Sequence, residues 1–205
     1  MKFEDTEVWG FEHAIRGMRN PLESWKKSDS FIKSPHNYYV IGPNDMKLMK
    51  TLIKAGPEHR KFLRQIFISV DITAPLYWWK EFDTYKVGTV TDSCSTMHKL
   101  KDTPITMDCF EMGDYCGFFE TPWKNLIALL EQCRKEYNET KDKRYWKELI
   151  RLLPESWLQK RTVTMSYENV ANMYSQRMNH KLTEWSKDFI QWADNLPYFK
   201  ELFTV

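Results

Sequence analysis

The chain has no C-x-x-C pair, no G-x-G-x-x-G, no P-loop and no H-E-x-x-H. These absences remove the local signatures of a dithiol redox centre, a dinucleotide fold, a Walker-type nucleotidase and a zinc peptidase, so no metal is expected. No apolar run approaches the length of a bilayer span, so no membrane segment is expected. A charge excess of one sign is missing too: 30 Lys and Arg face 28 Asp and Glu, a formal net charge of +2. A field that weak gives no reason to expect nucleic acid or an anionic lipid surface as partner. The four cysteines, Cys94, Cys109, Cys116 and Cys133, follow no secretory leader, which predicts reduced thiols in a cytoplasmic protein.

What is present is aromatic. Nine Trp and ten Tyr in 205 residues exceed what a core of this size demands, and such rings stock ligand pockets and subunit interfaces as well as cores. The length suits one domain, 1–205, with a real core. Along it, Met1 to Gly10 reads as an edge strand. Pro43 begins a helix that runs to about Ala55, where Gly56-Pro57 stops it. From Arg64 the period changes to two, with Ile66, Ile68, Val70 and Ile72 alternating with Phe67, Ser69, Asp71 and Thr73, which predicts a strand buried on one face. Ala74-Pro75 ends that strand and opens an aromatic helix to about Tyr85.

Residues 101–121 are punctuated by Pro104, Gly113 and Gly117 and predict a long excursion, either a binding loop or one packed by its own Phe110, Tyr115, Phe118 and Phe119. Helices are then expected over Pro122 to Tyr137 and Asp142 to Leu152, a strand over Gln159 to Ser166, and helices over Tyr167 to Asn179 and Leu182 to Asn195. A final turn covers Pro197 to Phe203. The sum is an α+β domain with an antiparallel or mixed sheet flanked by several helices.

One residue breaks its own pattern. On the Tyr167 helix, Val170, Met173, Tyr174 and Arg177 share a stripe, which sets a guanidinium where burial is expected. Removing a permanent cation from water costs several kcal/mol unless a carboxylate or an anionic ligand meets it. Either a structural ion pair or a ligand site satisfies that requirement. His180 flanks the same position or is solvated. Trp78, Trp79 and Phe82 read as core or as a cofactor wall, Lys86 and Asp92 as a solvated pair, and Cys94 as an inert thiol.

Two segments together resemble the flavin-dependent thymidylate synthases, the ThyX family. IFISVDITAPLYWWKEFDTYKVGTVTDSCSTMHKL, Ile66 to Leu100, has the family's strand, A-P, aromatic helix and the register of its signature R-H-R-x-x-S-x-N-x-x-S-x-R. LLPESWLQKRTVTMSYENVANMYSQRMNHKLTEW, Leu152 to Trp185, resembles the family's L-P, strand and arginine-bearing helix followed by a histidine and a tryptophan. The signature residues themselves are exchanged. R-H-R is Thr84-Tyr85-Lys86, its serines are Thr89 and Cys94, its asparagine is Thr91, and its closing arginine is Thr96. Ser166 and Glu168 stand where the family usually has an asparagine and an arginine for flavin.

The resemblance implies a ThyX-like fold and reductive methylation of dUMP, or of a related pyrimidine nucleotide, with FAD, NADPH and methylenetetrahydrofolate. It makes Arg177 the catalytic group that polarises the pyrimidine, with Glu81, Asp92, Cys94, Ser95, Arg151 and Arg177 around the substrate. Lys86, Thr89 and Ser166 fall to the flavin. With Thr84 and Thr96 neutral, a phosphate would turn to Lys86, Arg151, Lys160 or Arg161. The resemblance also implies a homotetramer with shared active sites. The alternative it leaves open is a noncatalytic homologue that binds nucleotide or regulates. A third reading is an unrelated α+β protein.

Overall fold

The computed structural model describes residues 1–35 and 38–203. In chain order these form β1 (Lys2–Trp9), α1 (Phe11–Arg19), β2 (Phe31–Lys33), β3 (Tyr38–Val40), α2 (Pro43–Lys54), β4 (Phe67–Pro75), α3 (Leu76–Phe82), β5 (Val90–Ser93), α4 (Thr96–Lys99), α5 (Glu120–Thr140), α6 (Lys143–Arg151), β6 (Leu158–Ser166), α7 (Tyr167–Arg177), α8 (Ile190–Asp194) and α9 (Phe199–Phe203). A π-helical turn, Glu184–Phe189, leads into α8. The architecture is α+β, with one four-stranded antiparallel sheet in the order β1-β4-β6-β5. β2 and β3 pair as a separate antiparallel ribbon, Phe31 opposite Val40. No helix among the described residues is long and apolar enough to cross a membrane.

β4 follows the two-residue period read from the sequence. Ile68, Val70, Ile72 and Ala74 have no exposed surface, while Phe67 is exposed and Ser69, Asp71 and Thr73 are half-buried. Pro75 ends the strand and serves as the N-cap of α3. Trp78, Trp79 and Phe82 are fully or almost fully buried, so these rings are core and the cofactor-wall reading of the aromatic helix lapses.

The chain folds into two compact units that interleave in sequence, one of Met1–Lys2, Asp71–Thr84 and Thr91–Thr162, the other of Phe3–Val70, Tyr85–Val90 and Val163–Val205. In the first unit Leu100, Ile105, Phe110, Leu130, Cys133 and Leu149 form a core cluster. Phe110 pairs through its backbone with Trp157 and packs edge-on to that indole at 5.5 Å. The 101–121 excursion is therefore anchored by Phe110 and Ile105. Tyr115, Phe118 and Phe119 are exposed instead of packing it.

The second unit is built on aromatic contacts among Phe11, Tyr167, Phe199, Trp185 and Phe189. Its helix α1 is absent from the sequence reading, although Phe11, Ala14, Ile15 and Met18 are its buried stripe. Two glycines make α1 possible. Gly10 adopts φ +96° where a Cβ would lie 2.2 Å from the Gln65 carbonyl oxygen, and Gly17 admits the Gln65 side chain to within 2.7 Å of the same hypothetical atom.

Candidate functional site

α7 sets the centre of the candidate site. Its N-terminus is closed by a reciprocal cap in which Asn169 N donates to Ser166 Oγ at 3.3 Å and Ser166 N donates to Asn169 Oδ1 at 3.1 Å. The Ser166 hydroxyl itself donates to Asn169 Oδ1 at 2.6 Å, and Asn169 Nδ2 donates to the Val87 carbonyl at 2.7 Å. The helix start thus holds the Tyr85–Val90 segment in place. Gly88, at φ +78°, lies where a Cβ would touch the Asn169 side chain at 3.1 Å.

Three turns on, Arg177 ends the helix. The apolar stripe holds for Val170 and Met173, which are fully buried, while Tyr174 and Arg177 are half-buried. Arg177 Nε donates to Tyr85 Oη at 2.8 Å. Its guanidinium carbon stands 4.8 Å from the Trp185 ring centre and 5.4 Å from that of Tyr85, within cation–π range of both. The Tyr85 hydroxyl donates onward to Gln176 Oε1 at 2.9 Å, and the Tyr85 and Trp185 rings meet edge-on at 6.2 Å. A cation seated against two rings and fixed by a hydrogen bond is an oriented donor group, suited to carbonyl or anionic oxygen. His180 accepts at Nδ1 from Leu182 N at 3.2 Å, which leaves the proton of a neutral ring on Nε2.

The residues assigned to the flavin belong to this second unit. Lys86 is exposed. Thr89 is half-buried and its hydroxyl donates to the Tyr85 carbonyl at 2.6 Å. Ser166, only 6% exposed, spends its hydroxyl in the cap. Tested against FAD, Lys86 presents a cation outward, whereas the Thr89 and Ser166 hydroxyls are turned into the fold. Glu168 is 8% exposed and accepts on Oε1 from Arg60 Nε at 3.2 Å and Nη2 at 3.0 Å. Its Oε2 is buried without a partner, an arrangement that suits a diphosphate poorly.

The other assigned residues lie in the first unit. Glu81 is half-buried at the end of α3, its carbonyl accepting from the Thr84 hydroxyl at 2.7 Å. Asp92 is exposed on β5. Cys94 has an exposed thiol, and its main chain is pinned on both sides: its N donates to the Lys160 carbonyl at 2.9 Å and its carbonyl accepts from Gln159 Nε2 at 2.8 Å. Ser95 caps α4 by accepting from His98 N at 3.2 Å. Arg151 is exposed on α6 and bridges to Glu148 one turn back. Arg161 is the better-held cation of the second segment. It lies 4.3 Å over the Trp79 ring and donates from Nη1 to Asp83 Oδ1 at 2.8 Å and from Nε to Gln159 Oε1 at 3.0 Å. Lys160 lies 2.8 Å from Asp71.

In the sequence Tyr85 stands only as an exchanged histidine of the signature, and nothing there marks Gln176. The adjacency of Gln176 and Arg177 was legible, but the 92-residue step from Arg177 to Tyr85 has no local signal. The Arg60–Glu168 pair, 108 residues apart, is likewise invisible in one dimension. A separate recess of about 1280 Å³ opens beside the end of α1, walled by Met18, Leu22, Trp25, Leu52 and Phe62, and none of the residues assigned above lines it.

No protein-family model matches the chain, and no curated protein does. Solved structures do match. The flavin-dependent thymidylate synthase ThyX from Helicobacter pylori complexed with FAD and dUMP superposes with a TM-score of 0.75 at 16% identity, over 100% of this chain and 98% of that one. A second structure, Thymidylate Synthase X from the same organism with FAD and dUMP, matches with the same TM-score, identity and coverage. At such identity the likeness is one of fold: this chain has the fold of those ThyX structures.

Proposed function

We propose that this chain, with the ThyX fold as its premise, binds a pyrimidine nucleotide, dUMP or a close relative, and acts on it as a flavin-dependent thymidylate synthase-like enzyme. The reaction would be reductive methylation of the pyrimidine, with methylenetetrahydrofolate as one-carbon donor and NADPH as reductant. The observation that carries the reading is the Arg177 guanidinium, oriented by the Tyr85 hydroxyl and seated against the Tyr85 and Trp185 rings. Facing a ring carbonyl, such a group stabilises negative charge as it develops on the pyrimidine, the role of a preorganised oxyanion donor. Because the two rings and the hydrogen bond already fix the guanidinium plane, little reorganisation is needed on binding. FAD, when bound, would supply the reducing chemistry. Lys86 is this chain's contribution toward its phosphates.

A second reading, a noncatalytic homologue that keeps nucleotide binding, is favoured by the inward-turned Thr89 and Ser166 hydroxyls and by the buried, half-paired Glu168. The homotetramer that the resemblance implies belongs to the enzyme reading and is checked by light scattering. Visible absorption separates the two readings. The enzyme reading expects flavin bands in the purified protein or on titration with FAD, and turnover of dUMP once the co-substrates are added. A colourless protein that binds dUMP but gains no flavin supports the second. In either case Arg177→Ala should weaken dUMP binding by about ten-fold or more, with little change in melting temperature because the side chain is half-buried. An arginine that serves only the fold would show the opposite: a lower melting temperature and unchanged affinity.

A further inference from the structure

We infer that the recess beside the end of α1 is a binding site for a small organic anion, one with an elongated aromatic body and a single acidic group. It lies wholly within the second unit. None of the residues assigned to nucleotide or flavin lines it, so the inference stands apart from the nucleotide reading.

One wall is ordered by a buried charge. Asn20–Leu22 and Trp25–Lys27 are single 3₁₀ turns that bury no residue of their own, yet they are held from within. Arg19, paired with Asp45 out of water, donates from Nη1 to the Ser24 carbonyl at 3.3 Å and from Nη2 to the Lys27 carbonyl at 3.2 Å. Trp25 is fixed a second time, its Nε1 donating to Asn20 Oδ1 at 2.9 Å. The indole is nevertheless 47% exposed, and Leu22 on the same recess 84%. A ring that is both exposed and immobilised offers a flat face that a stacking partner need not order.

The opposite wall is α2. Asn44, Leu48 and Leu52 recur every four residues, which puts them on one face, and all three line the recess. Both leucines are only half-buried. Met18 and Phe62, 9% and 3% exposed, supply buried apolar lining. From Asn44 to Leu52 the helix rises about 12 Å, so a body lying along it is elongated and not a single ring. The recess measures about 1280 Å³, above the roughly 300–1,000 Å³ of most small-ligand sites. Such a body fits with water left at the mouth.

Charge selects what enters. The chain as a whole is nearly neutral, but on this rim the exposed Lys26, Lys27 and Lys61 outnumber Glu23 and Glu58. Glu58 stands 3.6 Å from Lys61 with both side chains mostly in solvent, a weak pair with which an incoming anion can compete. Lys26 and Lys27 follow Trp25 on the same ordered turn. A ligand stacked on the indole thus brings its acidic group beside two ammonium groups, and a neutral body of the same shape gains nothing there.

The test is calorimetric titration of the full chain with anilinonaphthalene sulfonate, two linked aromatic systems bearing one anion, and with phenylnaphthylamine, the same body without the sulfonate. The wild type is expected to bind one sulfonate per chain, about ten-fold tighter than the neutral compound. Trp25→Ala should weaken both by about five-fold or more. The double variant Lys26→Glu, Lys27→Glu should weaken the sulfonate by about ten-fold and leave the neutral compound unchanged. Its two positions are exposed, so it remains informative if melting temperatures show Trp25→Ala to be poorly folded. Saturating dUMP and FAD should leave the sulfonate affinity unaltered. Equal wild-type affinity for the two compounds overturns the charge argument. Absence of sulfonate binding, or binding that neither folded variant changes, overturns the site. Displacement of the sulfonate by dUMP or FAD overturns its separateness.

Discussion

Arg19 and Asp45 form an ion pair almost wholly out of water, Nε 2.6 Å from Oδ1, with side chains 4% and 0% exposed. The other carboxylate oxygen accepts from the Ser28 and Ser30 hydroxyls, each at 2.7 Å, and from the main-chain N of Asp29 and Ser30 at 3.1 Å. Arg19 in turn donates to the Ser24 and Lys27 carbonyls. One carboxylate at the start of α2 thus orders the 24–30 stretch. Burial pushes the Asp45 acid up, and the donors from Ser30, Ser28, Arg19 and Asp29 outweigh it, so its pKa is lowered.

Asp45→Asn should therefore be severe. It strands the Arg19 cation and removes an acceptor shared by several donors, a loss of about 3–5 kcal/mol for breaking a buried pair from one side. Urea denaturation checks it. A loss below about 1 kcal/mol would mean that the pair is not the organiser of this stretch.

Stability should fall in acid through Glu131. The Arg134 fork donates to both its oxygens at 2.7 Å and Ile105 N donates at 2.9 Å. The hydrogen bonds from Arg134, set against some burial, bring the carboxyl from 4.5 to about 2. A carboxylate depressed on folding contributes stability above its unfolded pKa and loses it as pH drops toward the folded value. The loss should span the window from about 4.5 down to about 2. Melting curves of wild type and Glu131→Gln across that window should converge at the acid end. Parallel curves would refute the assignment.

The thiols should separate by reactivity. Cys94 and Cys116 are exposed, and Cys133 is buried in the first unit's core. Burial also raises the Cys133 pKa, with Glu148 adding to it, and only thiolate reacts. Maleimide labelling of the native protein with peptide mapping should modify Cys94 and Cys116 within minutes and Cys133 only after denaturation. Cys133 labelled at the rate of Cys94 would contradict the packing.

The cap at α7 should be measurable. Ser166→Ala removes the hydroxyl that accepts from Asn169 N and donates to Asn169 Oδ1, at a cost of about 1 kcal/mol. Ser166→Asp should restore part of it, since a carboxylate also caps a helix N-terminus. If neither variant changes the midpoint of denaturation, the reciprocal cap carries no stability.

Much of the scaffold was readable one residue at a time. The alternation in β4 and the Pro75 boundary follow from local period and proline chemistry. So does the α2 start, where Pro43 stands at the first helical turn. The α6 start is legible at Asp142, whose side chain caps it by accepting from Arg144 N. Where the reading failed, distant neighbours decide. α1 has a clean apolar stripe, yet Gly10 at its cap and Gly17 within it are required because Gln65, distant in sequence, comes where a Cβ would stand. The helix expected over Leu182 to Asn195 opens as a π-helical turn, Glu184–Phe189, that buries Trp185 and Phe189 completely.

The candidate site divides in the same way. That Arg177 would share a stripe with Val170 and Met173 follows from helical spacing, and that its cation needs a partner follows from the cost of desolvation. The sequence by itself therefore determined the backbone periods, the chain breaks and one out-of-place charge, because these depend on neighbours three or four positions away. Which groups meet that charge was decided by tertiary structure alone. Tyr85 arrives from a segment 92 residues earlier, and no local spacing encodes which of many polar side chains the fold delivers to the end of α7.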